Sequence, residues 1–178
     1  FTPWLSEAKA DIEWHYWDKY RNHLLEKGMG MQVASSLDNV TERILALAEN
    51  PKKSGIWERK GMVVGHVQSG KTANYVGLIS KAADAGYKVF IVIAGVTNSL
   101  RRQTQMRIEQ GFTGRDTSND PFTQTGVGLK DHNPAKQPIT FTTVHKDFNK
   151  TAASQFGAHL ESFASPIVFV IKKNTNTL

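Results

Sequence analysis

The fold of this chain is predicted from one short stretch, Gly65-His66-Val67-Gln68-Ser69-Gly70-Lys71-Thr72. The stretch reads G-x-x-x-x-G-K-T, the pattern in which glycines let successive backbone N–H groups turn toward a bound phosphate. Residues 61–64 before it form a short apolar, β-branched run, which predicts a buried strand. Residues 73–79 after it begin a helical period. The sequence therefore predicts a strand, a glycine-rich turn and a helix, in the order that a phosphate-binding loop requires.

Each part of this predicted loop has a role in binding a triphosphate. A helix that starts near Gly70 or Lys71 points its first N–H groups and the positive end of its dipole at the β-phosphate. Lys71, the candidate catalytic residue, adds a charge that reaches the β- and γ-phosphates, and the Thr72 hydroxyl is the candidate Mg²⁺ ligand. The predicted cofactors are ATP and Mg²⁺, and the predicted binding residues are Gly65, His66, Val67, Gln68, Ser69, Gly70, Lys71, Thr72 and Ala73. The alternative is a chance glycine-rich turn.

Composition narrows the possible classes of protein. The 178 residues suffice for one domain with a hydrophobic core. The absence of cysteine excludes disulfides, cysteine-ligated zinc and a thiol nucleophile, and it fits a cytoplasmic location. A net charge of +6 suits partners that carry phosphate, and no apolar run is long enough for a membrane partner. Because the chain opens on Phe1 and stops just after an apolar run, we expect it to be part of a longer protein, with an incomplete lobe.

Two helices are predicted before the first strand. Apolar residues at intervals of three and four predict a helix from Leu5 to about Lys27, and its Trp and Tyr side chains favour core packing over nucleic-acid stacking. A possible capping box at Ser35 and Asp38 predicts the start of a second helix. Residues 1–55 are therefore predicted to be an N-terminal helical segment, and residues 56–178 the domain that contains the loop. Trp57 is either a stacking residue for a nucleotide base or a hydrophobic plug under the sheet.

The remaining residues alternate between predicted helices and strands, which is typical of a parallel α/β sheet. The predicted elements are a helix to Ala85, a strand over 88–94 buried on both faces, a helix carrying Arg101 and Arg102, a long loop over 111–138, a strand over 139–143, a helix over 148–163 and a strand over 166–171. Ligands of such sheets bind at the carboxyl ends of the strands.

Three motifs occur along the chain: G-x-x-x-x-G-K-T, then T-x-x-L-x-x-Q at Thr97, Leu100 and Gln103, then a strand ending in Thr142-Thr143. In this order they resemble motifs I, Ia and Ib of superfamily-two helicases and translocases. Residues 61–75, 100–105 and 170–174 more closely resemble the Z-one domain family of endonuclease proteins in bacterial restriction and phage-defence systems, which are built on a helicase-like ATPase. The resemblance covers about Ile56 to the end of the chain.

The resemblance implies an α/β P-loop NTPase (RecA-like) fold with a parallel sheet and flanking helices, preceded by the two N-terminal helices. It also implies that the whole protein is a DNA-acting ATPase, with nucleoside triphosphate, DNA and its own further domains as partners. The DNA-contact candidates that it implies are Thr97, Arg101, Arg102, Gln103, Thr142 and Thr143. The alternative for the arginines is a solvated helix face or pairing with Glu109.

One feature of helicase-like ATPases is missing from the sequence. Hydrolysis needs an acidic Mg²⁺ ligand after a buried strand, but the last predicted strand is followed by Lys172-Lys173-Asn174. We therefore expect this chain to bind nucleotide weakly and not to hydrolyse it. Two alternatives stay open: a P-loop kinase or other small-substrate phosphotransferase, and a non-hydrolytic DNA-binding switch gated by nucleotide.

Overall fold

The computed structural model describes residues 4–65, 70–130, 133–148 and 164–173. The chain divides into two compact units, Phe1–Tyr87 and Lys88–Leu178. The α-helices are α1 (Leu5–Ala8), α2 (His15–Glu26), α3 (Met31–Leu47), α4 (Lys71–Ala85) and α5 (Asn98–Ile108). The strands are β1 (Val89–Ala94), β2 (Arg115–Asp116), β3 (Thr123–Gln124), β4 (Ile139–Thr140) and β5 (Ile167–Lys172). No helix in the described ranges has both the length and the apolar character that a membrane crossing requires.

The first unit is helical, with α2 and α3 both packed against α4. Its core contains the buried side chains of Trp17, Tyr20, Leu45 and Val76, so the core interpretation of the aromatic residues on α2 is confirmed. Gly77 allows the close contact, because a Cβ there would lie 3.1 Å from a ring carbon of Trp17. Helix α4 thus packs with the N-terminal helices in the compact unit that ends at Tyr87, while the predicted domain boundary after residue 55 stays a prediction.

The predicted helix over residues 5–27 is interrupted in the structure. Helix α1 is followed by a 3₁₀ turn at Lys9–Asp11 and an irregular connection, and α2 begins only at His15. The start of α2 is stabilised by Asp84 of α4, whose carboxylate accepts the N–H groups of Tyr16 and Trp17 at 2.9 Å each. Such a cap comes from a residue distant in sequence, so the apolar periodicity could not predict the break.

The predicted capping box of the second helix is wrong. Helix α3 begins at Met31 with Gly30 as its N-cap, so Ser35 and Asp38 lie within the helix. Asp38 instead forms an ion pair with Lys81, whose Nζ also donates to the Asp38 carbonyl oxygen at 2.8 Å. Lys81 is only 1% exposed, and its Nζ lies 4.8 Å from the ring centroid of Trp17. The buried ammonium group therefore joins α4 to both α2 and α3.

Asp84 should make the stability of this unit depend on pH. Burial raises its pKa from the ordinary value of 3.8 to about 7, although the backbone N–H groups of Tyr16, Trp17 and His15 act in the opposite direction. Because the folded protein holds this proton more tightly, its contribution to stability is complete below about pH 4 and is lost as pH rises through about 7. We expect the free energy of unfolding to fall by roughly 4 kcal/mol across this range.

Urea denaturation at several pH values, compared between the wild type and Asp84→Asn, measures this effect. Asparagine keeps the shape and one acceptor oxygen for the α2 N–H groups, but it does not titrate. The difference in unfolding free energy between the two proteins should therefore change between pH 4 and 7. A constant difference across this range would show that Asp84 does not titrate there.

The second unit contains a three-stranded parallel sheet in the order β1-β5-β4. Strand β5 is central and its residues Val168 and Val170 are fully buried, while α5 packs against β5 and β1. The other face of β5 packs through Ile167, Phe169 and Ile171 against Ile139, Phe141 and Phe148. The α/β class with a parallel sheet and flanking helices is thus confirmed.

Three predictions for this unit need correction. Strand β1 is not buried on both faces, because Val89, Ile91 and Ile93 are 39%, 61% and 51% exposed at the edge of the described sheet. Strand β4 has two residues, Ile139–Thr140, and not the predicted five. Residues 111–138 are not a plain loop, since they contain the antiparallel pair β2–β3 and buried side chains at Phe112 and Val127. The predicted helix over 148–163 lies, beyond Phe148, outside the described residues.

Candidate functional site

The N-terminus of α4 lies where the sequence predicts a phosphate-binding helix end. Helix α4 begins at Lys71, and Gly70 precedes it as the N-cap with a φ of +72°. This left-handed conformation is easy for glycine and costs other residues about 1 kcal/mol or more. The N–H of Asn74 donates to the Gly70 carbonyl oxygen at 3.0 Å, which closes the first turn. N–H groups at the start of such a helix have no acceptor within the helix, so they can bind an anion.

The charge at this helix end is unusual. The first turn of α4 contains Lys71 and no acidic residue, and the glycine N-cap has no side chain to accept a hydrogen bond. A cation at the positive end of a helix dipole is unfavourable by about 0.3–1 kcal/mol. A bound anion would interact favourably with both the ammonium group and the dipole. A lysine at this end of the helix therefore lowers the stability of the free protein but favours the binding of an anion.

A cavity of about 690 Å³ opens beside this helix end. Its lining includes apolar side chains of α3, among them Val33, Leu37 and Val40. It also includes Gly65, Gly70 and residues of the first turns of α4, namely Lys71, Asn74 and Tyr75. Thr72 and Ala73 in the same turn are half-buried. The structure thus brings five of the predicted cofactor-binding residues, Gly65, Gly70, Lys71, Thr72 and Ala73, to one end of a helix.

The predicted strand before the loop is not formed. Residues 61–64 are irregular, and Met62, Val63 and Val64 are 87%, 57% and 82% exposed. A β-branched run favours a strand only where a neighbouring strand completes its hydrogen bonds, and these residues are not part of the described sheet. His66, Val67, Gln68 and Ser69 lie outside the described residues, so the conformation of the loop itself stays a prediction.

Trp57 packs within the first unit. Its ring makes an edge contact with Tyr87, with ring centroids 6.1 Å apart, and the Tyr87 hydroxyl donates to the Glu49 carbonyl oxygen. Trp57 is not among the residues that line the cavity. The contact shows Trp57 packed on Tyr87; neither base stacking nor a plug under the sheet is tested by it, and both stay predictions.

The T-x-x-L spacing at residues 97–100 has a structural explanation. Thr97 is the N-cap of α5, and its hydroxyl accepts the N–H of Leu100 at 3.2 Å. Thr97 is nevertheless exposed, as are Arg102 and Gln103 on α5. These three residues keep the accessibility that a contact with DNA requires.

Arg101 and Thr142 are too buried to contact DNA. Arg101 is 2% exposed, and its guanidinium donates to the carbonyl oxygens of Thr143 at 2.9 Å and Val144 at 2.8 Å. Thr142 is fully buried, donates to Gln105 Oε1 at 2.8 Å and accepts the Val170 N–H at 2.9 Å. We therefore withdraw both from the DNA-contact candidates, because their polar groups bind other parts of the protein. Thr143 is half-buried, and its hydroxyl accepts the N–H of Lys146.

Sequence reasoning missed a buried polar network around Glu109. The Glu109 carboxylate is 2% exposed and accepts hydrogen bonds from Gln105 at 3.0 Å and from the Thr117 hydroxyl at 2.5 Å. Burial raises the pKa of Glu109. The spacing of four residues between Gln105 and Glu109 could have predicted their contact on one side of a helix. The contact with Thr117 could not be predicted in this way, because Thr117 lies beyond the end of α5. Arg101 does not form the alternative ion pair with Glu109; its Nε lies 3.9 Å from Asp147 Oδ2.

The fold and the site together define a mixed α/β protein with a three-stranded parallel sheet and a cavity at a helix N-terminus. No protein-family model, no curated protein and no solved structure matches the chain. Among the described residues, no group of three or more His, Asp or Glu side chains is placed to hold a metal ion.

Proposed function

We propose that this chain binds the phosphates of a nucleoside triphosphate at the N-terminus of α4, as the ATP-binding part of a DNA-acting helicase- or translocase-like ATPase. The observation that supports binding best is Lys71 in the first turn of α4, beside the left-handed Gly70 and without an acidic neighbour in that turn. Those two residues belong to the G-x-x-x-x-G-K-T pattern, so sequence and local structure favour the same ligand.

The residues of this chain can account for binding of the phosphates, but they do not make up a complete site for hydrolysis. Bound Mg²⁺ would neutralise phosphate charge, and in this chain only the Thr72 hydroxyl is proposed to contact it. None of the three described parallel strands is followed directly by an acidic residue, because Gly95 follows β1, Phe141 follows β4 and Lys173 follows β5. The carboxylate of Asp147 accepts the N–H of Lys172 at the end of β5, but it also lies 3.9 Å from the Arg101 guanidinium. The proposed activity of this chain is therefore nucleotide binding without hydrolysis.

The DNA-acting part of the proposal is supported by the resemblance to helicase motifs and by the net charge of +6. At the N-cap and on the first turns of α5, the residues that support it are Thr97, Arg102 and Gln103, which are all exposed. A nucleotide-gated DNA-binding switch is the second candidate, favoured because no acidic residue directly follows any of the three described parallel strands. The two differ in whether the intact protein releases phosphate.

Isothermal titration of the chain with Mg-ATP tests the binding proposal. We expect weak, saturable binding at one site, together with no release of inorganic phosphate in a parallel assay. Absence of saturable heat at millimolar ATP would reject the site. A DNA-binding titration with and without ATP addresses the second candidate, since a switch requires the DNA affinity to change with ATP while no phosphate is released.

A further inference from the structure

Helix α3 has a second apolar face besides the one that packs on α4. Ala34, Thr41 and Leu45 are buried. Val33, Leu37 and Val40, spaced by four and three residues, form a separate stripe that lines the cavity. Val33 and Val40 remain 58% and 39% exposed. We call these three side chains the α3 stripe.

We infer that the α3 stripe holds the nucleoside part of the ligand whose phosphates bind at Lys71; the inference rests on the proposed function. The stripe and Lys71 line the same cavity of about 690 Å³, which is within the range of roughly 300–1,000 Å³ typical of small-molecule sites. A ligand held at Lys71 by its phosphates therefore places its remaining atoms within reach of the stripe. Apolar contact with a planar base would remove both surfaces from water.

The polar and charged groups of the cavity suit the same occupant. Gln32, Ser36 and Asn74 line it and offer hydrogen-bond donors and acceptors for the edge of a base or for a ribose. Among the described lining residues none is acidic, and Lys71 is the cation. A lining that combines apolar side chains with a lysine matches a base joined to a polyphosphate more closely than it matches a purely apolar peptide.

Two double variants on α3 test this inference. Val33→Asn with Val40→Asn removes apolar contact inside the cavity, and Met31→Asn with Leu47→Asn makes the same kind of change at residues 63% and 65% exposed that do not line it. Because all four side chains are exposed, both variants should fold, which circular dichroism and thermal unfolding check. Each protein is titrated with Mg-ATP and with magnesium tripolyphosphate, which has the phosphates but no nucleoside.

We expect the wild type to bind ATP about tenfold more tightly than tripolyphosphate, and we expect the stripe variant to lose that difference. The variant's affinity for tripolyphosphate, and both affinities of the control variant, should be unchanged. Equal binding of ATP and tripolyphosphate by the wild type would overturn the inference and leave the phosphate site standing. Failure of both ligands to bind the wild type would overturn the proposed function as well. A wild-type dimer that the stripe variant converts to monomer, with ATP affinity unchanged, would assign the stripe to a second copy and overturn the inference.

Discussion

Lys71→Glu should abolish nucleotide binding while stabilising the helical unit that contains it. The substitution places a carboxylate among N–H groups that would otherwise face phosphate, so attraction becomes repulsion. Loss of a charge-assisted contact combined with this repulsion should lower the affinity for ATP by at least about 100-fold. The same carboxylate interacts favourably with the helix dipole, so we expect the free energy of unfolding to rise by about 1 kcal/mol. Lys and Glu have similar helix propensities, which keeps the comparison electrostatic.

Titration calorimetry and urea denaturation measure the two effects on the same protein. Lys52→Glu is the matched control, because it makes the same change of charge at an exposed residue outside α4 and outside the cavity lining. The control should bind ATP as the wild type does and change stability by less than about 0.5 kcal/mol. If Lys71→Glu retained the ATP affinity of the wild type, the anion site would have to lie elsewhere, whether or not the free energy of unfolding had changed.

Arg101→Met should lower the free energy of unfolding by about 3–5 kcal/mol, whereas Arg102→Met should change it by less than about 0.5 kcal/mol. Methionine fills part of the space of Arg101 but leaves the carbonyl oxygens of Thr143 and Val144 without their buried donor. Arg102 is the next residue in the same helix and is exposed. The two variants therefore compare the loss of a buried guanidinium with the loss of a solvated one. Both variants carry the same loss of charge.

Denaturant unfolding of the two variants, monitored by circular dichroism, gives the comparison directly. Similar small effects from both substitutions would mean that the guanidinium of Arg101 is not required inside the protein. It would then return to the DNA-contact candidates beside Arg102. A large effect confined to Arg101 would confirm that adjacent arginines of one helix have different roles.

Sequence patterns predicted the features of this protein that depend on local chemistry. The start of α4 at Lys71 follows from Gly70 and the helical period after it, and the burial of β5 follows from its continuous apolar run. The same kind of run did not predict the exposed edge position of β1. Features that depend on distant partners were missed. The break before α2 depends on the cap from Asp84. The burial of Arg101 depends on the carbonyl groups of residues 143 and 144, which accept its hydrogen bonds. Residues 61–64 show most directly how far a local pattern can predict structure, since an apolar run does not form a strand without neighbouring strands.

The anchoring of α4 has a consequence for the affinity of any ligand at its N-terminus. Lys81 and Asp84, on the last turns of the helix, hold it to α3 and α2, and Gly77 allows close contact with Trp17 in its middle. Because these contacts maintain the helix without a ligand, the first-turn N–H groups are preorganised. Binding then does not bear the conformational entropy cost of ordering a helix, and affinity reflects the contacts at Gly70, Lys71 and the cavity more directly.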